Sequence, residues 1–223
     1  MLFDFQGTIA TTEDPIEWVT AAAAECGVTL DRARATALAD QLTAVGRIGG
    51  PRPSKIPPEL LEVWADRDLS PQAHRAAYGG LAATVASGID GLADALYGRV
   101  LRTEGWRAYA DTAETMVALR AAGVAVGVIS NVAFDIRPIC HELGFGRYVD
   151  VWALSFEVGA LKPEPLIFLY ACRELGVDPV RTLMVGDTPA DAGAVDVGCR
   201  ALILPAAAPG AVNGLSTVLT LVQ

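Results

Sequence analysis

Beyond Trp106 the chain alternates short, almost wholly apolar runs with amphipathic segments of about 10–15 residues, and this alternation limits the possible folds more than any other feature. The apolar runs fall at 124–129, 149–154, 182–185 and 201–204. Helical patterns fall at 112–122, in a segment ending near Gly144, and from Lys162-Pro163-Glu164-Pro165 to about Leu175. A strand that is apolar on both faces must be covered on both faces, so the pattern predicts a parallel sheet between two layers of helices. The opening Met1-Leu2-Phe3 is apolar as well and is expected to join that sheet.

The stretch between these parts has a different grammar. Residues 13–100 read as helical, beginning with Asp14 as a cap before Pro15 and continuing in amphipathic segments near 31–42, 59–66, 71–86 and 90–101. Gly49-Gly50-Pro51-Arg52-Pro53 reads as a loop. The expected fold is therefore α/β, a doubly wound parallel sheet of Rossmann-like type. Residues 1–12 and 101–223 form its core domain, and 13–100 form an inserted all-helical cap domain.

Charge and composition exclude several classes. The 223 residues carry 26 acidic against 17 basic side chains, a net charge of −9, with no basic stripe, so a nucleic-acid partner is not expected. No run approaches the roughly 18 apolar residues of a membrane span, and no basic segment precedes an apolar one at the start. The expected location is the cytoplasm. Cys26, Cys140, Cys172 and Cys199 form no CxxC pair, which argues against a zinc site or a disulfide framework and for buried thiols. Of the 17 basic residues only Lys55 and Lys162 are lysines, so each draws a question about chemistry.

In open α/β sheets ligands sit beyond the carboxyl ends of the strands. There the sequence puts Asp4, Ser130 and Asp187, with Lys162 in a loop before a helix. Each has a structural reading: Asp4 as a turn residue, Ser130-Asn131 as an N-cap pair for the next helix, Thr188-Pro189-Ala190-Asp191 as a capping box. Together they suggest more. Two nearby carboxylates repel unless a cation lies between them, and a hard divalent ion such as Mg²⁺ resolves the conflict. A carboxylate facing a phosphate can act as nucleophile, while the lysine ammonium and serine hydroxyl offset charge on the transferring group. That set suits phosphoryl transfer.

Four stretches also resemble the motifs of the haloacid dehalogenase (HAD) superfamily: Asp4-Phe5-Gln6-Gly7-Thr8, Val128-Ile129-Ser130-Asn131, Lys162-Pro163-Glu164-Pro165-Leu166-Ile167-Phe168, and Val185-Gly186-Asp187-Thr188-Pro189-Ala190-Asp191. They occur in the family's order, and the chain resembles its phosphatase-like branch over roughly 1–12 and 103–205. The resemblance implies Asp4 as the nucleophile that forms an aspartyl-phosphate, Ser130 as a hydrogen-bond donor to phosphoryl oxygens, and Lys162 as the group holding nucleophile and phosphate together. It implies Mg²⁺ bound by Asp4, the backbone carbonyl of Gln6 and Asp187, with Asp191 supporting or completing the site. The implied substrate is a small phosphorylated metabolite, met by a monomer or homodimer.

One position departs from that pattern. Phosphatases of the family carry an acid/base Asp two residues after the nucleophile, and here that residue is Gln6. An amide cannot shuttle a proton at neutral pH. Slow turnover is the expectation, since general acid–base catalysis contributes typically ~10²–10⁴-fold. Two alternatives follow: a 2-haloacid dehalogenase, which uses the same nucleophile without metal, and a non-catalytic protein that binds phosphorylated metabolites. His74, in the insertion, is the other group able to carry a proton and is expected to be solvated. Arg47 and Arg52, with Lys55 and Asn131, are candidate substrate contacts, the cap cations being equally readable as a solvated loop edge. Trp18 and Trp64 read as cap core. Because only three residues precede Asp4, the native start is expected a few codons upstream.

Overall fold

The computed structural model describes residues 1–221. It divides into two compact units, one of Met1–Thr11 with Arg107–Gln223 and one of Thr12–Trp106. The strands in chain order are β1 (Leu2–Phe3), β2 (Ala10–Thr12), β3 (Trp106–Ala108), β4 (Gly127–Ser130), β5 (Val151–Leu154), β6 (Leu183–Gly186) and β7 (Arg200–Ile203). Five form one sheet in the order β5-β4-β1-β6-β7, every neighbouring pair parallel, while β2 and β3 form a separate two-stranded sheet.

The two-residue β1 is the centre of the large sheet. Leu2 lies opposite both Gly127 and Met184, and Phe3 opposite both Val128 and Val185. Both side chains are fully buried. The chain moves outward on one side of β1 through β4 and β5, then crosses to the other side for β6 and β7. That reversal of direction at β1 leaves a crevice at the carboxyl ends of its neighbours. One face of the sheet is sealed by the helix Pro165–Leu175, whose Ile167, Phe168 and Ala171 pack on Leu2, Ile129, Ala153 and Met184.

The first long apolar run becomes a strand only from Gly127, three residues later than its composition predicts. The amide of Val126 donates to the Asp150 carboxylate instead of a ladder partner, and Ala125 receives the amino group of Met1. At Gly127 a Cβ would come 2.8 Å from Leu2 Cδ2, so the glycine lets β4 close on the central strand.

In the other unit the helices are Pro15–Glu25, Arg32–Val45, Leu61–Ala65, Pro71–Ala83 and Leu92–Val100. Asp14, Asp31 and Ser70 cap the first, second and fourth by accepting backbone amides. The segment expected as one helix near 59–66 starts as a 3₁₀ turn, Pro58–Leu60, because Pro57 and Pro58 have no amide to donate. Trp18 and Trp64 are both core residues, as their helical spacing predicts. His74 corrects an expectation. It is buried rather than solvated, its Nδ1 lies 2.9 Å from the Tyr97 hydroxyl, and burial lowers its pKa to about 4. Among the described residues no helix is long and apolar enough to cross a membrane.

Candidate active site

Three carboxylates and one ammonium gather at the carboxyl ends of β1, β4 and β6. Asp4 follows β1 directly, its amide still donating to Val185 in the sheet ladder at 2.8 Å. Asp187 follows β6, and Asp191 stands one turn later in the short helix Pro189–Ala192. Lys162 reaches in from the loop before the helix Pro165–Leu175. Its Nζ donates to Asp4 Oδ1 at 2.6 Å, Asp191 Oδ1 at 2.7 Å and the Ile129 carbonyl at 3.2 Å. An ammonium has three protons, so this lysine is fully used. It is 6% exposed, whereas Lys55 is exposed.

The polar spacing that reads as a capping box is one: the Thr188 amide and hydroxyl both donate to Asp191 Oδ2. The structural and functional readings of Asp191 therefore hold together, one oxygen capping the helix and the other holding Lys162. Ser130-Asn131 is different. The next helix, Arg137–Glu142, has Ile136 at its N-cap, so this pair caps nothing. Asn131, expected to contact substrate, instead clamps the Lys162 backbone. Its Oδ1 accepts from Lys162 N at 2.8 Å and its Nδ2 donates to Lys162 O at 3.0 Å. Ser130 is buried with its hydroxyl making no hydrogen bond among the described residues.

The electrostatics follow from the count of charges. Burial raises the Asp4 pKa well above the carboxylate range; Lys162 opposes the shift and Asp191 and Asp187 add to it. Burial alone would lower Lys162, but Asp4 and Asp191 outweigh it and hold the ammonium above its usual pKa. Asp187 is raised too, first by burial. One ammonium among three carboxylates leaves an excess of negative charge in a site of low dielectric.

The donor set fits a hard divalent cation. One oxygen each from Asp4, Asp187 and Asp191 lie within 4.8 Å of one another. Asp187 Oδ1 is buried with no hydrogen-bond partner, an orphaned acceptor of the kind a metal satisfies. Asp191 has both oxygens engaged already, which makes Asp187 the more open ligand. Gln6 is half-buried, its side-chain amide without a hydrogen bond among the described residues. The turn after it is tight: Gly7 has φ +84°, and a Cβ there would stand 2.2 Å from Asp187 Oδ2.

Sequence reading missed the residue that holds this turn. Asn213, 7% exposed, donates through Nδ2 to the carbonyls of Thr8 at 2.9 Å and Gly7 at 3.2 Å, while its Oδ1 accepts from Ala207 N. Asp111 anchors it by accepting from the amides of Asn213 and Leu215. No motif marks Asn213; its one sequence signal is a polar residue in the apolar C-terminal stretch. Arg47 and Arg52 lie in the helical unit. Arg47 is half-buried, donating to Thr12 Oγ1 and Ile48 O beside the Trp18 ring, while Arg52 is exposed. Cys172 and Cys199 are buried free thiols with sulfurs 3.9 Å apart.

The model of the haloacid dehalogenase-like hydrolases matches residues 1–195. The chain is 37% identical over 83 residues to an N-acetylmuramic acid 6-phosphate phosphatase of Pseudomonas aeruginosa, covering 36% of each protein. It is 32% identical over 110 residues to a phosphoglycolate phosphatase of Salmonella paratyphi A, covering 48% of this chain and 43% of that one. The matches thus span less than half the length of these curated relatives. Among solved structures, a dehalogenase superposes with a TM-score of 0.67 at 25% identity, over 99% of this chain and 95% of that chain. A HAD phosphatase from Thermococcus onnurineus gives 0.61 at 24%, over the same shares.

Proposed function

This chain belongs to the haloacid dehalogenase-like hydrolases, and from that premise we propose that it is a Mg²⁺-dependent phosphohydrolase acting on a small phosphorylated metabolite through an aspartyl-phosphate at Asp4. The observation that carries this reading is the excess of carboxylates: Asp4, Asp187 and Asp191 face each other with Lys162 as their one ammonium. A metal-free dehalogenase needs no such cluster. The phosphatase names of the relatives support the same choice.

In this reading Asp4 is the nucleophile. Lys162 fixes one of its oxygens, which leaves the other to attack phosphorus. The free hydroxyl of Ser130 is available to donate to a phosphoryl oxygen, and Asn131 keeps Lys162 in place by gripping its backbone. Asn213 holds the turn that carries Gln6 and Gly7, limiting the freedom of the nucleophile's loop. Asp4, Asp187 and the Gln6 carbonyl would hold Mg²⁺, with Asp191 in support. When bound, the ion would neutralise carboxylate charge and stabilise charge on the phosphoryl group.

The likeness to a dehalogenase over 99% of the chain keeps a second reading in view. One experiment separates the two. Wild type and Asp4→Asn are assayed on a panel of phosphorylated metabolites with Mg²⁺ and with EDTA, and for halide release from 2-chloropropionate. Phosphate release that needs Mg²⁺ and vanishes in Asp4→Asn is the expected result. Halide release that survives EDTA would replace the proposal with the dehalogenase. Saturable metabolite binding with no turnover would replace it with a binding protein.

A further inference from the structure

We propose that the site is selective for acyl phosphates, mixed anhydrides of phosphate and a carboxylic acid, over phosphate esters of ordinary alcohols. The inference rests on Asp4 being the nucleophile, and it turns on which groups around that residue can give up a proton.

Breaking the bond from phosphorus to an alcohol oxygen without a donor expels an alkoxide, about as basic as hydroxide. A positioned acid removes that cost and is worth typically ~10²–10⁴-fold. Among the described residues of the α/β unit no protic side chain is free for the task, once Asp187 serves as a carboxylate ligand of the metal. All three protons of Lys162 are given to Asp4, Asp191 and Ile129. Asp191 has one oxygen on Lys162 and the other on Thr188. The Tyr109 hydroxyl, 3.2 Å from the Ala207 carbonyl, donates there, and burial raises its pKa. Ser130 and Thr8 offer hydroxyls, whose conjugate bases are as strong as the alkoxide itself. Gln6 has an unengaged amide, which cannot lose a proton at neutral pH. His141 is exposed and makes no hydrogen bond to the cluster. In the helical unit the His74 ring is 3% exposed and engaged with Tyr97.

A carboxylate leaving group needs no proton, since its conjugate acid has a pKa of about 4. The steps then balance. An Asp4 oxygen bonds to phosphorus as the bond to the acyl oxygen breaks, and that oxygen leaves with its electron pair as a carboxylate. A water oxygen next bonds to phosphorus, Asp4 departs as a carboxylate, and the water's proton passes to solvent. With no base to activate that water, the second step is the slower one, so aspartyl-phosphate accumulates.

The test uses the full chain with Mg²⁺ and two readouts. The first is kcat/KM across aryl phosphates of graded phenol acidity, with acetyl phosphate and glycerol phosphate as the extremes. The second is intact-protein mass after acid quench, with Asp4→Asn as the control for the modified position. Expected are a steep fall in kcat/KM as the leaving group becomes more basic, ~10²–10⁴-fold between the extremes. A mass increase of one phosphoryl group should appear with acetyl phosphate and be absent in Asp4→Asn. Gln6→Asp, which restores a carboxyl able to protonate the leaving group, should raise ester turnover and so flatten the leaving-group series. An adduct at Asp4 combined with a flat leaving-group series would overturn the selectivity and leave the phosphohydrolase standing. No adduct from any donor, and no phosphate release, would remove both. The leaving-group series needs only wild type, so the result does not hang on the folding of a variant.

Discussion

Each unit of this protein holds a network of charged side chains with a buried ion pair in it, and the two are composed differently. In the helical unit Glu13, 2% exposed at its side chain, meets Arg99 in a two-point contact of 2.7 and 2.8 Å. Glu25, at the exposed end, joins Arg99 to Arg102, so each of these carboxylates meets a guanidinium group. In the α/β unit three carboxylates face one ammonium. Each carboxylate of the first set has its own guanidinium partner, and the set works as a brace. The unmatched set is internally repulsive, and folding tolerates it only because the rest of the unit supplies the stability. In the proposed function that excess is what a cation and an anionic substrate would complete.

The comparison breaks if the two networks respond alike to substitution. Asp4→Asn should lower turnover by at least about 10⁴-fold, while stability in urea stays level or rises, because one of the mutually repelling carboxylates is gone. Unfolding curves and single-turnover assays on the same preparation would read both. Arg99→Ala should do the reverse in kind. It leaves Glu13 buried without its main partner and should cost about 3–5 kcal/mol in urea midpoint analysis. A loss below about 1 kcal/mol would put the pair among ordinary surface bridges.

A smaller effect distinguishes buried neutral groups from buried charged ones. His74 has a folded pKa of about 4 against 6.5 when free. Between those values the unfolded chain binds a proton at this position that the folded chain does not. The His74 contribution to stability therefore falls as pH drops through that window, by at most about 1.4 kcal/mol per pH unit, while the raised carboxyls of Asp4 and Asp187 contribute with the opposite sign. His74→Gln, which keeps a polar partner for Tyr97, should remove that loss and leave the variant more stable than wild type at the acid end of a pH 7 to 4 series, relative to pH 7, in chemical unfolding. The smallest expected change is at Asn213→Ala. It leaves the Gly7 and Thr8 carbonyls and the Ala207 amide without their partner, for about 1–3 kcal/mol. Turnover should drop by roughly tenfold through kcat, since the nucleophile's loop loses its tether. An unchanged kcat would confine Asn213 to a structural role.

The legible part of the site was its chemistry. Asp4, Ser130, Lys162 and Asp187 could be found because each stands where an apolar run ends or a helix begins, and because Lys is so rare here. The capping box at Thr188 was legible too, since it is a contact between residues three apart. The readings that changed involve partners far away in the chain. Residues 124–126 are apolar enough for a strand, yet the Asp150 carboxylate takes the amide of Val126. Ser130-Asn131 has the composition of an N-cap, but Asn131 finds the Lys162 backbone first. His74 looks like a solvated residue until its neighbours in space are known.

Residue types and their order along the chain thus determined the layers of the fold, the helical character of the insertion and the identity of the charged groups. Periodicity and composition act over a few residues and are written in the chain itself. Tertiary structure decided which charges meet, which hydroxyls and amides stay free, and that an asparagine near the C-terminus holds the turn beyond the nucleophile. Those outcomes depend on contacts between residues from 23 to 206 positions apart, where local pattern carries no information and only packing decides which buried groups find a partner.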